Sequence, residues 1–347
     1  MNRAVRTGVP ERVISVTSSI PRAFPTSTRL PARVASISKR STPDPTSTRT
    51  STRSPFMTPG YLSEGPWARL VVRIGQNRAV AAVSWAWPES DQALVELQGR
   101  LANAAASALA TEPWLPSGKR LVLGGCFVAY ARGGTGPGQP GDEAWAAAVA
   151  WRGDVLGQGT RRTDHHLRGA VMLGQPRQAD DVLAQSIVAS RVASSYLPGL
   201  LARREGAILA AAVAALDVRP ELLLVDASGL DHPRGAGLAI HLGAVADLPT
   251  VGVTRQPLVA VGDQPDLRRG SVSPLVVDGR CVAFWVCTRT GARPIVAHAG
   301  WRTSPETASR VVLDASTQAA RTPVPLQEAR RVAREARSLG LSLRLRR

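Results

Sequence analysis

Residues 221–226 read Glu-Leu-Leu-Leu-Val-Asp, four apolar side chains in a row with an acid at each end. A strand wetted on one face alternates apolar and polar residues. An unbroken apolar run this short needs cover on both faces. The run therefore predicts a buried parallel strand between layers of helices, with a polar residue, Asp226, at its C-terminal tip.

The neighbouring segments supply the rest of such a sheet. Residues 121–130 read as a buried strand, Gly133 to Gly141 as a long turn, and 144–151 and 154–160 as two further strands, so that three antiparallel strands open the domain. Helices are expected at 178–194 and 200–216, separated by the break Tyr196-Leu197-Pro198-Gly199. A helix at 233–245, strands at 249–253, 281–288 and 294–298, a helix at 304–319 and a basic helix at 326–340 follow. Upstream, Glu89-Ser90-Asp91 can cap a helix whose Leu94, Leu97 and Leu101 share one face. This order predicts a mixed α/β sheet flanked by helices in a single domain, compatible with a ribonuclease-H-like fold. No internal repeat is visible.

Residues 1–60 differ in kind. They hold 20 Ser/Thr, ten Lys/Arg and only two acids, Glu11 and Asp44. Such a segment cannot bury a core. It reads either as a disordered tail or sequence upstream of the true start, or as a basic arm or transit peptide. The division that follows is an extension at 1–60, a linker at 61–84, the folded domain at 85–322 and a basic C-terminal helix or tail at 323–347.

A net charge of +17 points to a polyanionic partner. The charge is almost all arginine, with Lys39 and Lys119 the only lysines. Three cysteines, Cys126, Cys281 and Cys287, show no CxxC spacing, which argues against a disulfide framework or a zinc site and fits a reducing cytoplasm. No apolar run approaches the ~20 residues that span a bilayer, so no membrane partner is expected. Gly136 to Gly141 formally matches GxGxxG. It lies between antiparallel strands with two prolines in it, and no helix start follows to receive a phosphate.

Two carboxylates are candidates for chemistry: Glu205, early in a helix, and Asp226. In a two-carboxylate phosphodiesterase, acids from different elements meet at a sheet end and hold Mg²⁺ (or Mn²⁺), which activates water and steadies the leaving oxygen. Taken singly, a strand-terminal Asp more often caps a loop, and a helical Glu is more often solvated.

Four stretches carry a resemblance: GGCFVAY (124–130), SYLPGLLARRE (195–205), LLLVDASGLDHPRGAGLAIHLG (222–243) and LPTVGVT (248–254). A fifth, AGWRTSPETA (299–308), matches more weakly. In order and spacing they resemble the endonuclease V family, over residues ~85–320. The resemblance implies a Mg²⁺-dependent nuclease that hydrolyses the second phosphodiester 3′ to deoxyinosine in DNA, or to inosine in RNA, as a monomer. It implies that Asp226 binds metal and that Glu205 holds metal-bound water. Tyr196, Leu197 and Pro198 match a wedge that fills the gap left by the extruded base. Gly199 and Leu201 fall where backbone meets that base, and Gly229 lies in the loop that closes the pocket. His232 either orients this loop or meets substrate, and Arg255 stands where the family has a lysine.

The departures from the pattern are equally specific. The family's second metal aspartate is Phe127 here, and Phe cannot coordinate a cation. The late histidine expected to assist phosphate chemistry is Trp301, which cannot shuttle a proton. Asp231 is an extra acid near the pocket and a possible replacement ligand. Cleavage is therefore expected to be severely weakened or lost. Two other readings stand beside it: an inactive module that binds lesions in nucleic acid, and a decaying gene product.

Overall fold

The computed structural model describes residues 85–116, 120–131, 139–154 and 181–340, with the backbone of two short strands, β1 (Ile14–Thr17) and β2 (Val71–Arg73). Apart from those strands, the extension and linker before residue 85, the strand expected beyond Asp154 and residues 341–347 lie outside the described residues.

Helix α1 (Asp91–Thr111) starts where the sequence signals it, with the Ser90 side chain accepting from the Ala93 amide and Leu94, Leu97 and Leu101 buried. Strands β3 (Arg120–Tyr130), β4 (Glu143–Asp154) and β5 (Val182–Arg191) pair antiparallel. After α2 (Leu201–Ala214), strand β6 (Leu222–Val225) lies parallel to β3. Helix α3 (Leu238–Ala246) leads to β7 (Thr250–Thr254), parallel to β6. The chain closes with β8 (Val272–Val277), β9 (Arg280–Val286), β10 (Ile295–Ala299), α4 (Pro305–Asp314) and α5 (Val324–Ser338). The strand order is β2-β1-β5-β4-β3-β6-β7-β10-β9-β8, the ribonuclease-H-like mixed sheet.

Strand periodicity divides the core. Leu222 and Leu224 pack with α4 and α5, and Leu223 and Val225 with α2 and α3. On β3 the same alternation sends Phe127 toward the α5 layer and Cys126, Val128 and Tyr130 toward α2. Helix α5 buries Leu326, Ala329, Val332, Ala333 and Ala336 in this core. The expected boundary at 323 thus falls inside one packed unit.

Several expectations need correction. The helix expected at 178–194 is, over its described residues, a strand: 182–191 form β5, because pairing with β4 over Glu143–Trp151 overrides the local pattern. The pair of strands read at 144–151 and 154–160 is, as far as it is described, one strand running through to Asp154. Gly153 is no turn there; its missing side chain makes room for the Trp151 ring, which a Cβ would meet at 2.0 Å. The helix read from 233 begins at Leu238, after a turn, and that read to 319 ends at Asp314. Strand β8 escaped notice because Pro274 interrupts it; it is an edge strand, where a missing amide is tolerated.

Candidate functional site

The C-terminal ends of β3 and β6 bring Phe127, Tyr130 and Asp226 together with Glu205 from the first turns of α2. A cavity of about 200 Å³ there is lined by Cys126, Phe127, Val128, Tyr130, Glu205, Leu209 and Asp226. The two acids are near enough to repel, but each has its own partner. Tyr130 donates its hydroxyl to Glu205 Oε1 at 2.5 Å. Burial, with the charge of Asp226 adding to it, pushes the Glu205 pKa up to about 7 against the pull of the Tyr130 bond and Arg204. Burial and the adjoining Glu205 push the Tyr130 phenol up as well.

Asp226 has a different partner. Arg330 of α5 donates from Nη2 to Asp226 Oδ2 at 2.8 Å and from Nη1 to Thr322 Oγ1 at 3.2 Å. Its guanidinium carbon lies 5.4 Å from the centre of the Phe127 ring, and that of Arg334 lies 5.8 Å away. Gly125 brings α5 this close: a Cβ there would stand 2.3 Å from the backbone of Pro325. In the sequence Arg330 stands in a run of arginines in the basic C-terminal helix, and its pairing with Asp226 is not visible there. Its spacing of four from Arg334, on a helix with an apolar opposite face, was the available signal.

A second cavity, about 290 Å³, adjoins the first at Asp226. Gln98, Tyr196, Gly199, Leu201, Ala202, Ala227, Ser228, His232, Leu238 and the 254–258 loop line it. Gly199 turns with φ +77°, a left-handed conformation open to glycine. Its carbonyl accepts from Gln98 Nε2 at 3.0 Å, His232 Nε2 at 3.0 Å and Arg234 Nη2 at 2.9 Å. The Arg234 amide donates to His232 Nδ1, so the imidazole is neutral with its proton on Nε2. Burial, the largest influence, holds the His232 pKa down near 4. His232 thus orients the Gly199 turn. Gln98, from α1, completes the clamp by accepting from Arg234 Nε at 2.6 Å, a role with no local signal along the chain. Tyr196 and Leu197 stand 56% and 45% exposed beside the opening.

The structure does not gather every expected residue. Leu197, Pro198, Gly229 and Arg255 do not line either cavity. Gly229 is buried, and a Cβ on it would meet the Ala299 carbonyl oxygen at 1.9 Å; its smallness serves loop packing. Asp231 is not a replacement ligand. It is fully buried, and its oxygens accept the amides of Leu258, Val259 and Ala260 at 2.7–2.8 Å, fixing the loop that walls the larger cavity. His298 Nδ1 lies 3.5 Å from the same carboxylate. Trp301 is not at the carboxylates either: it packs with Leu97, Leu101, Ile240 and Ala244 between α1 and α3. Among the described residues no cluster of three or more His, Cys, Asp or Glu side chains could hold a metal ion. Among them, too, no helix is long and apolar enough to cross a membrane.

Comparison with known proteins finds relatives of this chain. The endonuclease V family model matches residues 154–331. An endonuclease V of Dictyoglomus thermophilum is 37% identical over 147 residues, 42% of this chain and 64% of that protein. One of Streptomyces coelicolor is 43% identical over 121 residues, 35% and 52%, and one of Roseiflexus sp. 36% over 155, 45% and 69%. The matched stretch thus spans about half to two-thirds of these relatives' lengths. The solved endonuclease V of Streptomyces avermitilis superposes with a TM-score of 0.58 at 28% identity, covering 74% of this chain and 97% of that one. That of Ciona intestinalis, solved with a 23mer DNA containing an inosine followed by a ribo-adenosine, shares the fold at 18% identity, TM-score 0.52, covering 72% and 99%.

Proposed function

Because this chain belongs to the endonuclease V family, we propose that it binds nucleic acid carrying a deaminated base and that its metal-dependent hydrolysis is severely weakened or lost. The bound species is DNA with deoxyinosine or RNA with inosine, held by a monomer in the cytoplasm. One observation carries the reading: the larger cavity stays open at the Tyr196 turn, while Asp226, on its wall, is ion-paired to Arg330 where a second acid would be needed.

The cavity has room for a flipped base and offers close backbone approach at the Gly199 turn. Tyr196, exposed at its mouth, supplies a planar ring to replace the stacking that an extruded base gives up. The family is metal-dependent, and Mg²⁺ takes six oxygens in near-octahedral order. The side chains here do not fit that ion. Of the two carboxylates, one is bonded to a phenol and the other to a guanidinium, and an aromatic ring fills the third position.

The test is a labelled oligonucleotide with a single deoxyinosine, beside the same oligonucleotide without it, with Mg²⁺ or Mn²⁺. Preferential binding of the deoxyinosine strand without nicking is expected. Tyr196→Ala should weaken that preference roughly 5- to 100-fold, the range of one base–aromatic stack. Specific nicking that Asp226→Ala abolishes would overturn the loss of catalysis, and equal binding of both strands would overturn lesion recognition.

A further inference from the structure

We infer that Arg330 is the resident cation of the carboxylate site, a guanidinium held where a divalent ion would otherwise be required, so that this protein engages nucleic acid without divalent metal. The absence of a metal site stands on geometry alone; the second half rests on the nucleic-acid reading above.

Three features of the site make a guanidinium a better fit than an ion. The Asp226 carboxylate takes a charge-assisted hydrogen bond from Nη2 at 2.8 Å. The Phe127 ring presents its π-face at 5.4 Å; this attracts a cation but offers it no lone pair to coordinate. Thr322 Oγ1 accepts from Nη1 and fixes the rotation of the plane. A divalent ion gains no ligand from an aromatic face and would have to displace Arg330 from Asp226 first. The loss of an acid at 127 and the presence of an arginine at 330 therefore belong together, since the ring supports the guanidinium that neutralises the remaining carboxylate.

The charge balance extends the argument. Two carboxylates beside a base-sized cavity would repel an incoming phosphate unless something neutralised them. Arg330 balances Asp226. Glu205 is buried and taken up by the Tyr130 hydroxyl. Arg334 lies over the same ring and is exposed. The site is thus ready for a polyanion with no added ion.

The first measurement is Mn²⁺ binding to the protein alone, by electron paramagnetic resonance. Wild type should show no site that Asp226→Asn removes. Phe127→Asp/Arg330→Ala, checked for folding by circular dichroism, should acquire one at least ~tenfold tighter, lost again when Asp226→Asn is added. The second is oligonucleotide binding in chelator and in Mg²⁺. Wild type should bind equally in both. Arg330→Ala should bind about tenfold more weakly in chelator, where Asp226 is left uncompensated, and recover either with Mg²⁺ or with Asp226→Asn added. A wild-type Mn²⁺ site removed by Asp226→Asn, or wild-type binding that needs Mg²⁺, would overturn the inference. Should no oligonucleotide bind under any condition, the nucleic-acid reading fails, and the Mn²⁺ experiment still decides whether Arg330 occupies the cation position.

Discussion

The two cavities share Asp226 and little else. Around the larger one, polar groups are tied to backbone: three donors converge on the Gly199 carbonyl, and three amides converge on Asp231. Around the smaller one, side chains are tied to side chains, Glu205 to Tyr130 and Asp226 to Arg330. Backbone clamps fix the shape of a turn, and side-chain pairs fix a balance of charge. A pocket shape held by many backbone contacts tolerates the exchange of any one side chain elsewhere. A cation site held by two or three acids does not survive the loss of one, and must be rebuilt around another cation. Damage to the two cavities should therefore look different.

The largest effect is expected from Asp231→Ala. It leaves three amides without their acceptor in a buried place, which costs on the order of 3 kcal/mol. Denaturant melts should show this loss, and the 256–260 loop should open to hydrogen exchange. If Asp231 were a metal ligand in reserve, the variant would change Mn²⁺ binding and leave the melt almost unmoved.

Glu205→Gln tests the other cavity and should stabilise. The folded-state pKa of Glu205 lies near 7, above its unfolded value of 4.5, so the fold favours its neutral form. Below about pH 4.5 the group is neutral in both states and adds no pH dependence. As the pH rises from there to about 7, the unfolded chain ionises this acid while the fold keeps it protonated, and stability falls. Gln removes that slope and keeps an acceptor for Tyr130. The gain above pH 8 should be about 1–2 kcal/mol, discounted because the side chain lines a cavity. Were Glu205 held ionised by a bound metal, Mn²⁺ would flatten the wild-type slope.

How far the sequence revealed this molecule follows the same division. The apolar run 222–225 and the capped helix at Ser90 declared themselves, because burial on both faces and a hydroxyl cap are local signals. Glu205, Asp226, Tyr196 and Gly199 could be singled out, and the structure gathers them at adjoining cavities. What stayed hidden came from distant chain segments. Strand β5 reads as a helix until β4 lies beside it. Arg330 reads as one of many surface arginines until Gly125 lets α5 settle on β3. Trp301 is placed by its match to the family's late motif and Asp231 by its nearness along the chain to the pocket loop, and neither says anything about the direction of a side chain. Both point away from the carboxylates, one to a loop and one to a helix layer.

The smallest effect expected here separates shape from stability. Gln98 comes from α1, 101 residues before Gly199, and bridges two groups: its amide donates to the Gly199 carbonyl and its oxygen accepts from Arg234. Gln98→Ala removes both bonds. His232 and Arg234 still reach the carbonyl, so no buried acceptor is orphaned, and the global loss should be only about 1 kcal/mol. The Arg234 guanidinium, however, loses the contact that sets its rotation, and the left-handed turn at Gly199 loses one of its three restraints. With glycine's wide choice of backbone angles, the turn should then sample other shapes, and the cavity wall with it. Preference for deoxyinosine over the matched strand should fall several-fold, while binding to the matched strand and indifference to Mg²⁺ remain as in wild type. An equal fall for both strands would mean that α1 supports the whole binding face, and the division between a pocket held by backbone and a charge site held by side chains would no longer describe this protein.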